Sequence, residues 1–226
     1  HYQLGIRYEQ KASAEDDMEE RLFEIADHYA KGLGEAPDEV EKLHIQKILL
    51  RAAKRCGLVS AFDTASRYLE LLLSQPEIQS DKNRSFLIHV YKEYHAVLCN
   101  MVNVKECDRI YGVLCGMVKN PEELADNCCL HITSLSTRGR YQDAFMLGIG
   151  LLDQLGVPFT GEDMEQTLKR ETELFYQELE ALGEDNILSK EEAEDPREFV
   201  ISKLLNRLCA PGLFFNPLYS FWTILT

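Results

Sequence analysis

The sequence predicts an all-α fold, a right-handed superhelix of antiparallel helix hairpins with about ten to eleven helices. Two observations carry this prediction. Apolar residues recur at helical spacing almost from end to end, as Met18, Leu22, Ile25 and Tyr29 do, and no stretch has the pattern of a strand. In addition, a short turn pattern returns three times between helix-length segments, which is typical of a helical repeat.

The turn pattern is clearest at Gly139, a small residue that is followed by an aromatic residue and then by an alanine. We expect the small residue to let the chain turn and the aromatic side chain to pack in the seam, the line of contact between the two helices of a hairpin. The alanine or cysteine is expected to lie where these two helices approach most closely. The repeat-defining residues are Ser60, Phe62 and Ala65 in the first copy, Val104 and Cys107 in the second, which begins at Val102, and Gly139, Tyr141 and Ala144 in the third.

Capping and breaking residues divide the apolar pattern into helices. In the first part of the chain, Ser13 is expected to cap a helix that ends near Gly32 and Gly34, and Pro37 to open the next. Further boundaries are expected at Gly57, Pro76, Asp81, Asn120, Gly156 and Pro158.

The pattern changes after Pro158, where the helices become longer and more charged. We therefore expect degenerate tetratricopeptide-like repeats over 1–158, and over 159–226 one or more further hairpins that continue the array and are truncated at the C-terminus. The boundaries expected there are a cap at Thr160, a turn over 183–186, a helix start at Asp195 and Pro196, an end at Pro211 and Gly212, and a last start at Asn216 and Pro217.

Charge and composition exclude several classes of protein. The net charge of −14 disfavours nucleic-acid binding, which depends on clustered Lys and Arg. No apolar run approaches the roughly 20 residues of a membrane span. The seven cysteines form no CxxC pair, so we expect a reducing, cytoplasmic environment. The acidic segment 162–198 is expected to be a solvated helix face with an acidic loop, or else a docking surface for a basic partner.

No pattern predicts a catalytic, metal or cofactor site. Phosphate-binding glycine loops are absent from the sequence, and the acids of 191–195 lack anything that would tune one of them as a catalytic acid. Cys128, Cys129 and His131 have zinc-ligand chemistry, but one helix cannot point all three the same way. Cys99, Cys107 and Cys115 are interpreted as small core residues rather than a redox site. We therefore expect no cofactor and no enzyme, the alternative being a helical enzyme with an unrecognised pocket.

The first helix of each repeat is expected to line a concave groove that contacts a protein or peptide. Lysines on that surface of an acidic protein favour an acidic or carboxylate-ended peptide, unless they are ordinary solubilising side chains. The expected groove residues are Lys47, Lys54, His89, Lys92, Asn100, Asp126 and Thr133.

Residues 40–157 resemble the tetratricopeptide family, most specifically in GRYQDA at 139–144. Over 1–160 the chain is also similar to the helical regions that follow the ATPase module of large bacterial and algal AAA/STAND signalling proteins, including fused serine/threonine kinase, ATPase and sensor histidine kinase proteins. The stretches that carry this similarity are LFEIADH at 22–28, LRAAK at 50–54, SAFDTA at 60–65, GRYQDA and LGVP at 155–158.

This resemblance implies a non-catalytic regulatory scaffold for protein–protein interaction, placed beside a nucleotide switch within a larger signal-transduction ATPase or kinase. Its partner would be a protein or peptide, including neighbouring domains of the same chain. The alternative is a free-standing tetratricopeptide adaptor that binds peptide or cargo.

Overall fold

The computed structural model describes residues 1–12, 15–182 and 195–226. Within these ranges the chain forms α-helices, short 3₁₀ segments and loops, and no strand, so the predicted all-α class is confirmed. The expected cap at Ser13, the turn at 183–186 and the acids of 191–194 lie outside the described residues. Among the described helices, none combines the length and apolar character that a bilayer crossing requires.

The chain packs as two compact units, of which the first is His1–Met117. Each of its helices packs against the next along the chain. Its apolar stripes meet in one core that includes the fully buried side chains of Leu22, Ile25, Tyr29, Leu49 and Leu69. The helices described in this unit are α1 (Tyr2–Lys11), α2 (Glu15–Gly32), α3 (Glu39–Leu58), α4 (Phe62–Leu73), α5 (Arg84–Asn100) and α6 (Val104–Met117).

The second unit is Val118–Thr226. Its described helices are α7 (Pro121–Thr137), α8 (Tyr141–Gln154), α9 (Met164–Leu182), α10 (Pro196–Phe215) and α11 (Pro217–Leu225). The helix α10 packs against α7, α8 and α11, and α11 in turn packs against α9. At the centre of this packing, the buried ring of Phe145 contacts the rings of Phe159, Phe215 and Tyr219.

Buried tyrosines join helices of the first unit through carboxylates. Tyr68 of α4 donates its hydroxyl to Asp27 of α2 at 2.7 Å, and Tyr94 of α5 donates to Glu70 of α4 at 3.0 Å. Burial and the adjacent carboxylate raise the pKa of Tyr94 to about 12. These hydroxyls therefore stay protonated and act as hydrogen-bond donors across helix seams.

The three predicted turns share one backbone conformation. Ser60, Val102 and Gly139 each have a positive φ, of 60°, 56° and 72°. Each lies two residues after the last residue of the preceding helix and two residues before the next helix begins, at Phe62, Val104 and Tyr141. The predicted small position of the pattern is therefore the left-handed residue that reverses the chain.

The same hydrogen bonds close all three turns. The amide that follows the left-handed residue donates to a carbonyl five residues earlier, from Ala61 to Cys56 at 2.8 Å and from Asn103 to Leu98 at 3.1 Å. The third bond runs from Arg140 to Leu135 at 3.0 Å. This is the six-to-one bond of a Schellman helix end, here joined directly to a new helix.

The predicted positions of close helix approach are buried in all three hairpins. Ala65, Cys107 and Ala144 are at most 1% exposed. The residues seven positions before the left-handed residue, on the preceding helix, are Ala53, His95 and Ile132, and they are equally buried. The residues at the first position of the second helix, Phe62, Val104 and Tyr141, are half-buried.

Several predicted boundaries are wrong for local reasons. Pro37 does not open α3, because Asp38 is the N-cap and accepts a hydrogen bond from the amide of Glu41 at 2.8 Å. Thr160 does not cap α9, since positive φ angles at Gly161 and Asp163 interrupt the helical path before Met164.

Pro211 and Gly212 do not end α10, which continues to Phe215. Both residues are buried, and a Cβ on Gly212 would lie 3.1 Å from the amide nitrogen of Ser220 in α11. Proline has no amide proton, so α10 lacks one of its backbone hydrogen bonds at Pro211. Close packing against α11 therefore keeps this part of α10 helical.

The left-handed turn gives a first prediction at Val102, a β-branched residue with φ of 56°. A left-handed conformation costs an L-residue roughly 1–2 kcal/mol, and Val102 is 75% exposed, so its side chain contributes little burial. Val102→Gly is therefore expected to raise the free energy of unfolding by about 0.5–1 kcal/mol, after the greater chain entropy of glycine is subtracted. Urea denaturation of the two proteins measures the difference.

Val59 provides the matched control, because it is an exposed valine beside the equivalent turn but has φ of −98°. Val59→Gly should lower stability by about 0.5–1 kcal/mol. A change of the same sign in both variants would contradict the role assigned to the left-handed residue.

Candidate functional site

A shallow groove on the first unit contains residues of α3 and α5. Its volume is about 290 Å³. On α3, Lys47, Arg51 and Lys54 recur at spacings of three and four, which places them on one face of the helix. The lining residues are Lys47, Leu50, Arg51 and Lys54 from α3, with Phe86 and His89 from α5.

Apolar side chains lie among these cations. Leu50 is 8% exposed and Phe86 is half-buried, so the groove offers an apolar surface with basic groups around it. Such a surface is complementary to a ligand that combines an apolar side chain with a negative charge.

Carboxylates partly neutralise the basic groups. Arg51 donates from Nε to Glu19 at 2.8 Å, and Lys54 lies 3.4 Å from Glu93. Lys47 is exposed and pairs with no carboxylate within the described part of the chain. The ammonium of Lys47 is therefore the charge most available to a ligand in this groove.

His89 stands across the groove on α5 and is exposed. Its Nδ1 lies 2.8 Å from the carbonyl oxygen of Ser85, which can only accept, so Nδ1 carries the proton. Nε2 is left as the ring atom that can face a ligand, as an acceptor in neutral imidazole or a donor in imidazolium.

The structure brings together three of the residues predicted for the groove, Lys47, Lys54 and His89. Lys92 is half-buried on α5 and does not line this groove. Asn100 ends α5 and donates its amide to the carbonyl of Ala96 at 2.8 Å. The lining residues that the prediction missed are Leu50, Arg51 and Phe86; the helical spacing from Lys47 and His89 was the signal that could have found them.

The other two predicted groove residues belong to α7 of the second unit. Asp126 forms an ion pair with Lys203 of α10. Thr133 donates its hydroxyl to the carbonyl of Cys129 at 2.9 Å. Both side chains thus have partners within their own unit.

A second cavity of about 260 Å³ lies between α3 and the 3₁₀ segment Pro76–Gln79. Gln46 and Glu77 line it, and Gln46 Nε2 and Glu77 Oε2 are buried without a hydrogen-bond partner among the described residues. The other Glu77 oxygen lies 2.6 Å from Lys42 Nζ, and this hydrogen bond lowers the pKa of the Glu77 carboxyl. The cavity therefore has room and polar groups for an ordered water or a small polar molecule.

The cysteines are reduced thiols in both units, since no disulfide joins any of the seven, all of which lie in the described ranges. Cys128, Cys129 and His131 are buried on α7. Cys115 is exposed, which corrects its assignment to the core. Eight residues on a helix turn it about 80° beyond two full turns, so Cys115 leaves the face that Cys107 occupies.

Comparison of the chain with protein-family models, with curated proteins and with solved structures found no match. The geometry of the groove and of the repeated turn therefore carries the functional argument.

The lowered pKa of Glu77 gives a second prediction. A carboxyl whose pKa is depressed by folding stabilises the protein above its ordinary pKa of 4.5, and the contribution is lost as pH falls through the folded value. Glu77→Gln should lower the free energy of unfolding by about 1 kcal/mol at pH 7 and by less near pH 3. Urea unfolding at the two pH values tests this.

Glu35→Gln removes an exposed carboxylate from the same unit and is the control. It should change stability by less than about 0.5 kcal/mol at either pH. An effect of Glu77→Gln that is the same at both pH values would contradict the linkage.

Proposed function

We propose that this chain is a non-catalytic module for protein–protein interaction, built as a tetratricopeptide-like array of helix hairpins. The observation that supports this most directly is the threefold recurrence of one turn, with the same left-handed residue, the same closing bond and the same buried small positions. Repeated hairpins of this kind serve to present surfaces for contact.

The groove between α3 and α5 is the proposed contact surface, and a peptide with a terminal carboxylate beside an apolar side chain is its proposed ligand. Lys47 supplies the opposing charge, and Leu50 with Phe86 supplies the apolar contact. A single carboxylate suits the groove better than a strongly acidic segment, because Glu19 and Glu93 already neutralise Arg51 and Lys54.

The resemblance to the helical regions of AAA/STAND signalling proteins supports a regulatory role beside a nucleotide switch in the cytoplasm. In that setting the groove would receive a neighbouring domain of the same chain or a separate signalling protein. The reduced cysteines accord with a cytoplasmic location.

A peptide library tests the groove assignment. We expect fluorescent hexapeptides with a free C-terminal carboxylate and an apolar last residue to bind more tightly than the same peptides with a C-terminal amide. Lys47→Glu should weaken binding of the selected peptides about tenfold or more, because it replaces the attracting charge by a repelling one. Fluorescence anisotropy gives both dissociation constants.

Arg55→Glu makes an equal charge change on the same helix, outside the groove, and is the control. It should leave peptide affinity within about twofold, because exposed charges at a distance are screened. Equal loss in both variants, or equal binding of acid and amide peptides, would remove support for the groove.

A further inference from the structure

The hairpin of α5 and α6 holds a cluster of metal-binding side chains at its seam. Sγ of Cys99 lies 3.4 Å from Nε2 of His95 and 2.8 Å from Sγ of Cys107. The ligand atoms of all three side chains lie within 4.8 Å of one another. His95 and Cys107 are buried and Cys99 is half-buried, so the cluster is largely sheltered from solvent.

The left-handed turn at Val102 is what brings these residues together. His95 and Cys99 lie one helical turn apart on α5, and Cys107 lies in the first turns of α6. The equivalent residues of the other two hairpins are Ala53, Gly57 and Ala65, and Ile132, Ser136 and Ala144. At positions where those hairpins place mostly small or apolar side chains, this one carries an imidazole and two thiols.

We infer that His95, Cys99 and Cys107 form a zinc-binding site. Thiolate and imidazole are the ligands that Zn²⁺ prefers among protein side chains, and this pair of types occurs in both structural and three-ligand zinc sites. The inference concerns a second site of the molecule and does not depend on the peptide groove.

Charge balance favours zinc in this partly buried position. Binding displaces one proton from each thiol, so two thiolates and a neutral imidazole surround the doubly charged ion and the net charge stays zero. A neutral assembly avoids the cost of burying an unpaired charge.

The distances fit a tetrahedral ion after a small movement. With Zn–S near 2.3 Å and Zn–N near 2.0–2.1 Å, sulfur and nitrogen ligands stand roughly 3.5 Å apart and two sulfurs roughly 3.8 Å apart. The observed 3.4 Å between Cys99 and His95 matches the first value. The two sulfurs must separate by about 1 Å, and Cys99, at the end of α5, is the side chain placed to move. Tyr111 packs its ring against that of His95, with centroids 5.3 Å apart, and holds the imidazole in place.

Metal titration of the whole chain tests the site. The reduced, metal-stripped protein should bind one equivalent of Zn²⁺ per chain, release protons on binding, and show a higher Tm with zinc than without it. Co²⁺ should replace zinc and give thiolate-to-cobalt charge-transfer absorption with the visible bands of a tetrahedral ion. Cys99→Ser and His95→Gln should each lower zinc affinity by about 100-fold or more, measured by competition with a chromophoric chelator.

Cys115→Ser is the matched control, because it removes an exposed thiol from the same helix as Cys107 and should leave zinc affinity unchanged. The cobalt spectrum and the proton release are measured on the wild-type chain. They therefore test for the site even if a variant fails to fold. Absence of zinc uptake by the reduced wild-type chain would overturn the inference. Cobalt–thiolate absorption that survives in the double variant Cys99→Ser, Cys107→Ser would place the ion at other cysteines and overturn it as well.

Discussion

The left-handed residue of each hairpin turn is the constraint on which the hairpins of this chain depend. One residue with positive φ lets the following amide bond back to the carbonyl five positions earlier, and the next helix starts at once. With so short a connection the two helices must lie side by side and antiparallel. The residue seven positions before the turn and the residue five positions after it then meet at the seam, which explains why both are buried in every copy.

The all-α class and the positions of the three hairpin turns could be predicted from the sequence. Ala65, Cys107 and Ala144 were identifiable because a small side chain at this position of the second helix lets two helices approach closely, and the turns were identifiable from the break in apolar spacing. The conformation at Val102 could not be read from residue type, since valine is disfavoured in the left-handed region and the hydrogen-bonded frame around it imposes that φ. The same limit applies at Pro211, where packing against α11 outweighs the local tendency to end a helix.

The candidate groove was predictable in part, for a related reason. Spacing along one helix identifies which side chains share a face, and this placed Lys47 and Lys54 correctly together. Pairing between helices does not follow from spacing, because it depends on how each helix is rotated about its axis. Thus Glu19 and Glu93, which reduce the positive charge of the groove, lie on different helices from the cations that they neutralise. This reduced charge is the reason that the proposed ligand is a single carboxylate rather than an acidic segment.

The middle hairpin shows how one frame can carry different chemistry. Its turn is closed by the same backbone hydrogen bonds as the other two turns. The backbone can therefore form this hairpin without an imidazole and two thiols between its helices. His95 is much larger than Ala53 at the equivalent site, and its polar ring is fully buried, which is costly unless its nitrogens are satisfied. The thiol of Cys99 is one partner of this ring, with its Sγ 3.4 Å from Nε2. In the proposed site, a zinc ion bound to this ring would join the two helices beside the left-handed turn at Val102. The middle hairpin therefore has polar side chains where the other two hairpins have mostly small or apolar ones. The backbone turn that all three share fixes the positions of these polar side chains.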